Sequence, residues 1–522
     1  MKFIVVTGGV ISGLGKGITA SSIGLILQNR GLNVTAIKID PYLNVDAGTM
    51  SPYEHGETYV LSDGGEADLD LGNYERFLNI ELTSEHNLTT GKVYQRVIKK
   101  ERRGDYLGKT VQIVPHVTDE IQRWIVNVAD GSDICMIEVG GTIGDMEIAP
   151  FIEALRQLSH TEQICFVHVS MMVDNGELKT KPTQHSITQL RSLGIQPNLL
   201  VIRTPIMLPD SIRSKLSRFC HIPESHIISN TNVQNLYFVP KLFDDQNVPH
   251  IITQVLRMPS VQKNHKTYQP VLQYFQQEHD ILKLGMVGKY VGSQDTYLSL
   301  IRAIEHAAIH LNVKVELVWM DSEQNMDFTS IDGLLIPGGF GTRGIQGKRD
   351  AVSYSLQHNV PILGICLGFQ VMMIEYAEQH DFKSVHGRPP ESQEWNSDNY
   401  DALVHILPYQ SKILGGTMRL GNYETILKPG SLVHELYQTN TIVERHRHRY
   451  EANQMYVPWL EQKGMHFPGV SVKIGQKWME TLEIPSHSFF VGCQYHPEFR
   501  SRVQQPHPLF LGLIRSMMEQ NY

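Results

Sequence analysis

A two-domain α/β protein is the fold the sequence predicts, and three observations predict it. Short apolar, β-branched runs alternate with segments of helical periodicity up to about residue 255, the pattern of a parallel sheet with crossover helices. From 258 to 280 this alternation gives way to a polar stretch, after which a second strand–helix pattern begins. The length, 522 residues, exceeds what one hydrophobic core organises. The expected division is a P-loop-like parallel-sheet domain over 1–257, a linker over 258–280 and a second α/β domain over 281–522.

Composition narrows the class of function. Hydrophobic residues make up 41% and charged residues 19%, as in a water-soluble globular protein. The net charge of −8 argues against a nucleic-acid partner. No apolar run approaches the roughly 20 residues a membrane-spanning helix needs, so no membrane partner is expected. A strand begins at residue 3 and leaves no room for a signal peptide. Five cysteines without paired spacing fit a reducing, cytoplasmic setting better than a disulfide framework.

Taken in order, 3–6 is a buried strand, followed by a turn crowded with Gly8, Gly9, Gly13, Gly15 and Gly17 and a helix opening near Lys16. Glycines let several backbone N–H groups converge on one anion at the positive end of a helix, and Lys16 adds a mobile charge for terminal phosphates. The phosphate-loop pattern G-x-x-x-x-G-K-[ST] is not met. Gly9 to Gly15 is one residue too long, and Gly17 stands where a magnesium-binding hydroxyl belongs. Spacing alone also allows an ordinary strand-to-helix turn; if the loop does hold a nucleotide, carboxylates elsewhere must hold the metal. The helix runs over 18–28 and the next strand over 33–39. Residues 43–108 read as a long polar segment with little periodicity, the kind that is usually functional or an interface. Further strands are expected over 134–139, ending in Glu138, and over 163–170 and 198–203.

The second domain should open with a strand at 284–287, a helix at 296–311 and strands at 314–319 and 333–336. Its sharpest feature is 361–370 (PILGICLGFQ), a strand, a tight turn and a helix with Cys366 at the turn. Gly364 and Gly368 flank it at the spacing of a nucleophile elbow, cysteine replacing serine. Such a turn exposes the sulfur, and the helix N-terminus favours the thiolate. The Leu367 N–H is placed to stabilise an oxyanion, with a second donor available from 337–341, which includes Gly339. His496 and Glu498, two apart after an apolar run, supply an imidazole and its orienting carboxylate.

These residues resemble the class I glutamine amidotransferases, which free ammonia from glutamine for a partner synthase. With the N-terminal half included, the chain resembles the CTP synthase family along nearly its whole length. The matching stretches are 7–17 (TGGVISGLGKG), 38–42 (KIDPY), 44–46 (NVD), 48–52 (GTMSP), 55–57 (HGE), 68–72 (DLDLG), 74–77 (YERF), 100–108 (KERRGDYLG), 138–144 (EVGGTIG) and 179–186 (KTKPTQHS). In the second domain 415–421 (GGTMRLG) and 443–451 (VERHRHRYE) join the Cys366 elbow.

The resemblance implies an amidoligase fused to a glutaminase, in which ATP phosphorylates uracil O4 of UTP and ammonia displaces the phosphate. It implies that Gly13, Leu14, Gly15, Lys16, Gly17 and Ile18, with Lys38, Asp70 and Val233, bind ATP, and that Asp70 and Glu138 hold Mg2+. UTP or inhibitory CTP would meet Ser12, Asp145, Met146, Glu147, Lys179, Thr180, Lys181, Pro182, Thr183, Gln184 and Lys215. Glutamine would meet Gly339, Leu367, Gly368, Phe369, Gln370 and Arg449, and His55 would line the ammonia passage. A homotetramer activated by GTP and inhibited by CTP is implied as well.

The chain also departs from the family pattern. The Asn-x-x-Ser-Thr-Glu-Phe motif that supplies a glutamine-binding acid is absent, and Glu391 or Glu394 is left as its substitute. An Arg common in the family is Ile206 here, a basic-acidic-Val triplet is 231–233 (TNV), and the loop over 171–178 is shortened. Two other readings stand beside this one: a glutamine-dependent ATP amidoligase for a different acceptor, since such enzymes also join a phosphate loop to an amidotransferase, or, from the missing acid motif, a nucleotide-binding assembly or regulatory protein with a decayed glutaminase.

Overall fold

The computed structural model describes residues 1–174, 176–259, 269–291, 294–407, 417–473 and 476–520. Gly415 and Gly416 of the 415–421 motif, and residues 260–268 of the expected linker, lie outside them. The chain forms two compact units: 1–47 with 70–273, and 48–69 with 274–522. Residues 48–69 thus group with the second unit, although they stand early in the sequence.

In the first unit seven parallel strands run in the order Ile227–Thr231, Leu199–Thr204, Gln163–Met171, Lys2–Gly8, Ile134–Val139, Val34–Asp40 and Asn87–Thr89. Both faces are covered, so the central strands are largely apolar; Phe3, Ile4, Val5 and Val6 are all fully buried. The helix Lys16–Gln28 follows the glycine turn, with Gly15 before it in the left-handed conformation at φ 82°. The observed strands differ from the expected ones by one or two residues at their ends.

The segment 43–108 differs most from its expectation. It contains helices Pro52–His55, Leu69–Leu78 and Thr90–Arg103 and the strand Asn87–Thr89. Its periodicity is masked because polar residues are buried there: Asn73, Glu75 and Arg76 are all under 6% exposed. Arg76 donates to Asn73 Oδ1 at 2.9 Å, and Glu75 accepts from the Leu82 N–H at 2.8 Å. Polar side chains can be core residues when their groups are paired, and hydropathy cannot see that. Within the stretch read as a linker, Gln269–Tyr274 is a short helix with Val271 buried.

The second unit has a six-stranded sheet in the order Lys314–Asp321, Ile281–Gly288, Gly333–Ile336, Ile362–Ile365, Phe490–Cys493 and Thr481–Glu483. All pairs are parallel except the last. A four-stranded antiparallel sheet, Thr441–His448, Arg419–Leu427, Gly469–Lys473 and Gln476–Met479, adjoins it in sequence. The expected helix at 296–311 is a single 3-10 turn over Gln294–Tyr297 followed by α-helix Leu298–Leu311.

Residues 48–69 are held in this unit by buried polar contacts. Arg445, fully buried, donates to the Tyr59 hydroxyl and to the Val60 carbonyl, each at 3.1 Å. Arg447 donates to Glu66 at 2.8 Å, and Glu57 accepts from the Ser299 N–H at the start of the Leu298–Leu311 helix. A buried guanidinium left without these acceptors would cost several kcal/mol, roughly 3–5 by analogy with broken buried pairs. That penalty holds the segment in place.

Candidate functional site

Neighbouring parallel strands bring Cys366 and His496 together. Ile362–Ile365 pairs with Phe490–Cys493 in a register that sets Ile365 beside Cys493. Cys366 follows at once, its N–H donating to the Cys493 carbonyl at 2.7 Å; His496 comes three residues past the partner strand and donates its N–H to the Arg445 carbonyl at 2.8 Å. Cys366 has φ 54°, ψ −102°, and the helix Leu367–Gln379 starts immediately after it. A non-glycine residue held there carries roughly 1–3 kcal/mol of strain, as at other strained functional turns. Gly368 is required because a Cβ would meet the Ile336 carbonyl.

The elbow does not expose the sulfur as expected. Cys366 is 3% exposed and lines a cavity of about 250 Å³ with Gly338, Gly339, Phe340, Arg447, His496 and Glu498, closed on another side by Gly48, Met50, Pro52, Glu57 and Thr58. Cys366 Sγ donates to the Arg447 carbonyl at 3.7 Å. His496 Nδ1 pairs with Glu498 Oε1 at 2.7 Å, while its Nε2 is buried without a hydrogen-bond partner among the described residues. A Cβ placed on Gly338 would lie 2.8 Å from the His496 ring and 3.4 Å from Cys366 Cβ, so imidazole and cysteine meet across this glycine. Burial opposes charge on His496, but Glu498 and then Cys366 outweigh it and push its pKa up to about 10.

The structure separates the two candidate acids. Glu391 accepts from Asn396 and Asn399 at 2.7 and 3.1 Å, which uses it in its own loop. Glu394 accepts from the Gly341 N–H at 2.7 Å, beside the glycine loop that lines the Cys366 cavity. Its pKa is raised by burial, against the pull of the Gly341 N–H and of Lys289 and Lys348. Lys348, 1% exposed, lies against Gly339; burial, then the charge of Lys289, lowers its pKa to about 8. Neither lysine was singled out from the sequence, where each sits in an unremarkable helix or strand end.

Of the residues tied to glutamine, Gly339 lines the cavity, and Leu367 packs against that glycine. Phe369 is a core residue with no exposure, and Gln370 donates to the Tyr450 carbonyl at 3.1 Å and to Gln494 at 3.2 Å. Arg449 donates to Thr417 at 3.0 Å. His55 is exposed at the end of Pro52–His55 and is not among the cavity-lining residues, whereas its neighbours Pro52 and Glu57 are.

In the first unit the charged groups gather at the C-terminal ends of the strands, where open parallel sheets bind ligands. Register places Lys38 beside Glu138 on neighbouring strands, and Lys38 Nζ donates to Glu138 at 2.9 Å and also to Asp70. Both carboxylates face the glycine loop: a Cβ on Gly17 would overlap Asp70 Oδ1 and lie 3.3 Å from Glu138 Oε2. This explains the glycine that broke the phosphate-loop pattern. Lys16 folds over Gly8 and donates to the Gly141 carbonyl at 2.9 Å. Its pKa is lowered by burial, which Glu138 partly offsets. Burial, then Asp70, raises the pKa of Glu138; burial raises Asp40 to about 6, against Lys38. Tyr74 donates to Glu138 and Asn87 to Asp40 at 2.7 Å. Tyr74 and Asp40 belong to motifs read from the sequence but were not singled out, because their partners come from distant strands.

No group of three or more His, Cys, Asp or Glu residues is placed as a metal cage among the described residues. Two converging carboxylates are what magnesium needs when phosphates and water complete its shell, so Asp70 and Glu138 fit the ion.

Gly13 has φ 73°, Leu14 is buried, and Ile18 lies in the first turn of the helix. Val233 is half-buried beyond the Ile227–Thr231 strand, where Arg203 reaches the Thr231 carbonyl and Asn232. Lys179 pairs with Glu177 at 2.5 Å, and the charge of Lys215 also bears on Glu177. Lys181 is exposed, Pro182 occupies the first turn of Lys181–Ser192, and Gln184 donates to Thr180 at 3.0 Å. Thr183 bonds Ser170 and the Met171 carbonyl, both at 3.1 Å. Ser12, Met146 and Glu147 are exposed, and Asp145 accepts from the Thr142 N–H at 2.9 Å.

Comparison with known proteins agrees along the chain. Residues 2–258 match the family "CTP synthase N-terminus", and 293–516 match "Glutamine amidotransferase class-I". The chain is 48% identical to a protein named CTP synthase from Natronomonas pharaonis, over 99% of this chain and 95% of that one. It is also 48% identical to a CTP synthase from Methanosarcina acetivorans, over 100% of this chain and 99% of that one. A solved structure of the Trypanosoma brucei CTPS glutaminase domain with bound acivicin is 31% identical, spanning 46% of this chain and 95% of its own, at a TM-score of 0.41. Near-half identity from end to end, on a chain whose two halves each match one part of the same enzyme, makes this protein a member of the CTP synthase family.

Proposed function

We propose that the protein aminates UTP to CTP at the expense of ATP, with ammonia from glutamine hydrolysis. The observation that carries this reading is the cavity shared by Cys366, His496 and Glu498, walled in part by residues 48–58 of the early sequence.

In the glutaminase half the Cys366 thiolate attacks the glutamine amide carbon, and His496, held by Glu498, gives its proton to the departing ammonia. Water then releases glutamate from the thioester. Backbone N–H groups of Gly339 and Leu367 receive the oxyanion, and Glu394 and Arg449 take the amino and carboxylate ends of the substrate. In the synthetase half uracil O4 of UTP attacks the γ-phosphorus of ATP, giving ADP and the 4-phosphorylated pyrimidine. Ammonia adds at C4 and phosphate leaves, so UTP, ATP and ammonia become CTP, ADP and phosphate. Gly13 to Ile18 cradle the ATP phosphates, Lys16 and Lys38 offset the charge that develops on them, and Val233 borders the adenine. Lys179, Lys181, Thr180, Pro182, Thr183, Gln184 and Lys215 serve UTP, with Ser12 and 145–147 toward the pyrimidine nucleotide. Asp70 and Glu138 hold Mg2+, which supplies charge neutralisation at the phosphates when bound. His55 serves the ammonia passage.

Family membership supports a homotetramer, activation by GTP and inhibition by CTP. Five free cysteines, all buried, suit the reducing cytoplasm we assign it; no helix among the described residues is long and apolar enough to cross a membrane. The test is incubation with UTP, ATP and magnesium plus either glutamine or ammonia. CTP from both is expected. CTP from ammonia alone would reveal a failed glutaminase, and CTP from neither would refute the reading.

A further inference from the structure

Beneath the glycine turn of the first unit lies a fully buried histidine with no role in the scheme above. His168 sits on the Gln163–Met171 strand, and parallel register sets it beside Thr7 on Lys2–Gly8. Its Nδ1 pairs with Thr7 Oγ1 at 2.9 Å and its Nε2 with Ser186 Oγ at 2.7 Å. Ser186, 3% exposed, belongs to Lys181–Ser192, the helix that opens with the residues assigned to UTP. Gly9 closes the arrangement from above. A Cβ there would overlap Ser186 Oγ and lie 3.2 Å from His168 Nε2. Two residues along the strand, Ser170 binds Thr183 one turn earlier on the same helix, at 3.1 Å.

The ring is neutral. Burial, then the nearby Lys16, lowers its pKa to about 3. A neutral imidazole has one donor and one acceptor nitrogen, and hydroxyls at both ends can satisfy either tautomer. The bridge therefore persists without a charge that would repel Lys16.

Resting on the amination reading, we infer that His168 is a positioning residue that fixes the ATP phosphate loop and the UTP-bearing helix in one register. Gly8 and Gly9 ride on one end of the bridge and Lys181 to Gln184 lead from the other. Its contribution is to the approach of uracil O4 to the γ-phosphate rather than to the hold on either nucleotide. Small misplacement at that distance is costly in rate while each ligand keeps its own contacts.

The test uses the full chain with ammonia as nitrogen source and the variants Thr7→Val, Ser186→Ala and the pair together. Each single variant should lower kcat at least ~10-fold while KM for ATP and for UTP each move less than about threefold. The double variant should be no worse than about twofold below the weaker single, because both cut one bridge. Additive losses, a change confined to one nucleotide's KM, or an unchanged kcat would overturn the inference. A far-UV spectrum and an unfolding curve that match the wild type's report that each variant is folded, so a loss of kcat is not mistaken for unfolding. Wild-type protein that makes no CTP from ammonia would instead refute the amination reading, which keeps the two failures apart.

Discussion

His168 in the first unit and His496 in the second are both buried, yet one ring is neutral and the other favours its charged form. Burial, then Lys16, drives His168 down to about 3, and its ring pairs with two hydroxyls. His496 meets Glu498 and Cys366 and is driven up to about 10. Burial disfavours charge in both, so the difference comes from partners alone. A neutral ring bonded on both sides is a strut. A charged ring held by a carboxylate at one nitrogen and facing Cys366 is a different device. The two units differ in the same sense: the second gathers Cys366, His496 and Glu498 on one cavity, while the first spreads cations and carboxylates along strand ends.

The sharpest break of this contrast is Cys366→Ala. Glutamine-dependent CTP formation should fall by about 10⁴ while ammonia-dependent formation stays within about twofold; equal losses in a paired assay would mean the sites are not separate. Next, Asp70→Asn should lower synthesis from either nitrogen source by about 10³ and leave glutamine hydrolysis in place. Hydrolysis rates measured alongside CTP formation decide it, and loss of both would deny the division of labour.

Glu394→Gln should raise KM for glutamine by about 30-fold with kcat less affected, whereas Glu391→Gln should act through stability alone. Steady-state kinetics on the two variants distinguish a substrate contact from a loop brace.

The smallest effect is on stability against pH, and its sign differs between the histidines. His496 has a folded pKa above its unfolded value near 6.5, so its contribution is full below that value and is lost as pH rises through about 10. For His168 the folded pKa is lower, so stability is present above about 6.5 and is lost as pH falls toward about 3. The gap in unfolding temperature between wild type and Glu498→Gln should therefore be several degrees near pH 6 and narrow toward pH 10. A gap that does not change over that range would show that Glu498 does not set the charge on His496.

The sequence by itself determined the α/β class, the elbow at Cys366, its partners His496 and Glu498, and the demand that carboxylates replace a missing hydroxyl. Each is a local pattern, set by spacing along a strand, a turn or a helix start. Tertiary structure alone decided that residues 48–69 join the second unit, that Cys366 lies enclosed, and that Glu394 rather than Glu391 stands by the cavity. It also revealed Tyr74, Lys348 and the Thr7–His168–Ser186 bridge. Those depend on strand register and on buried polar groups finding partners up to 161 residues away, and hydropathy assigns the same value to a polar side chain whether it is paired in the core or exposed to water.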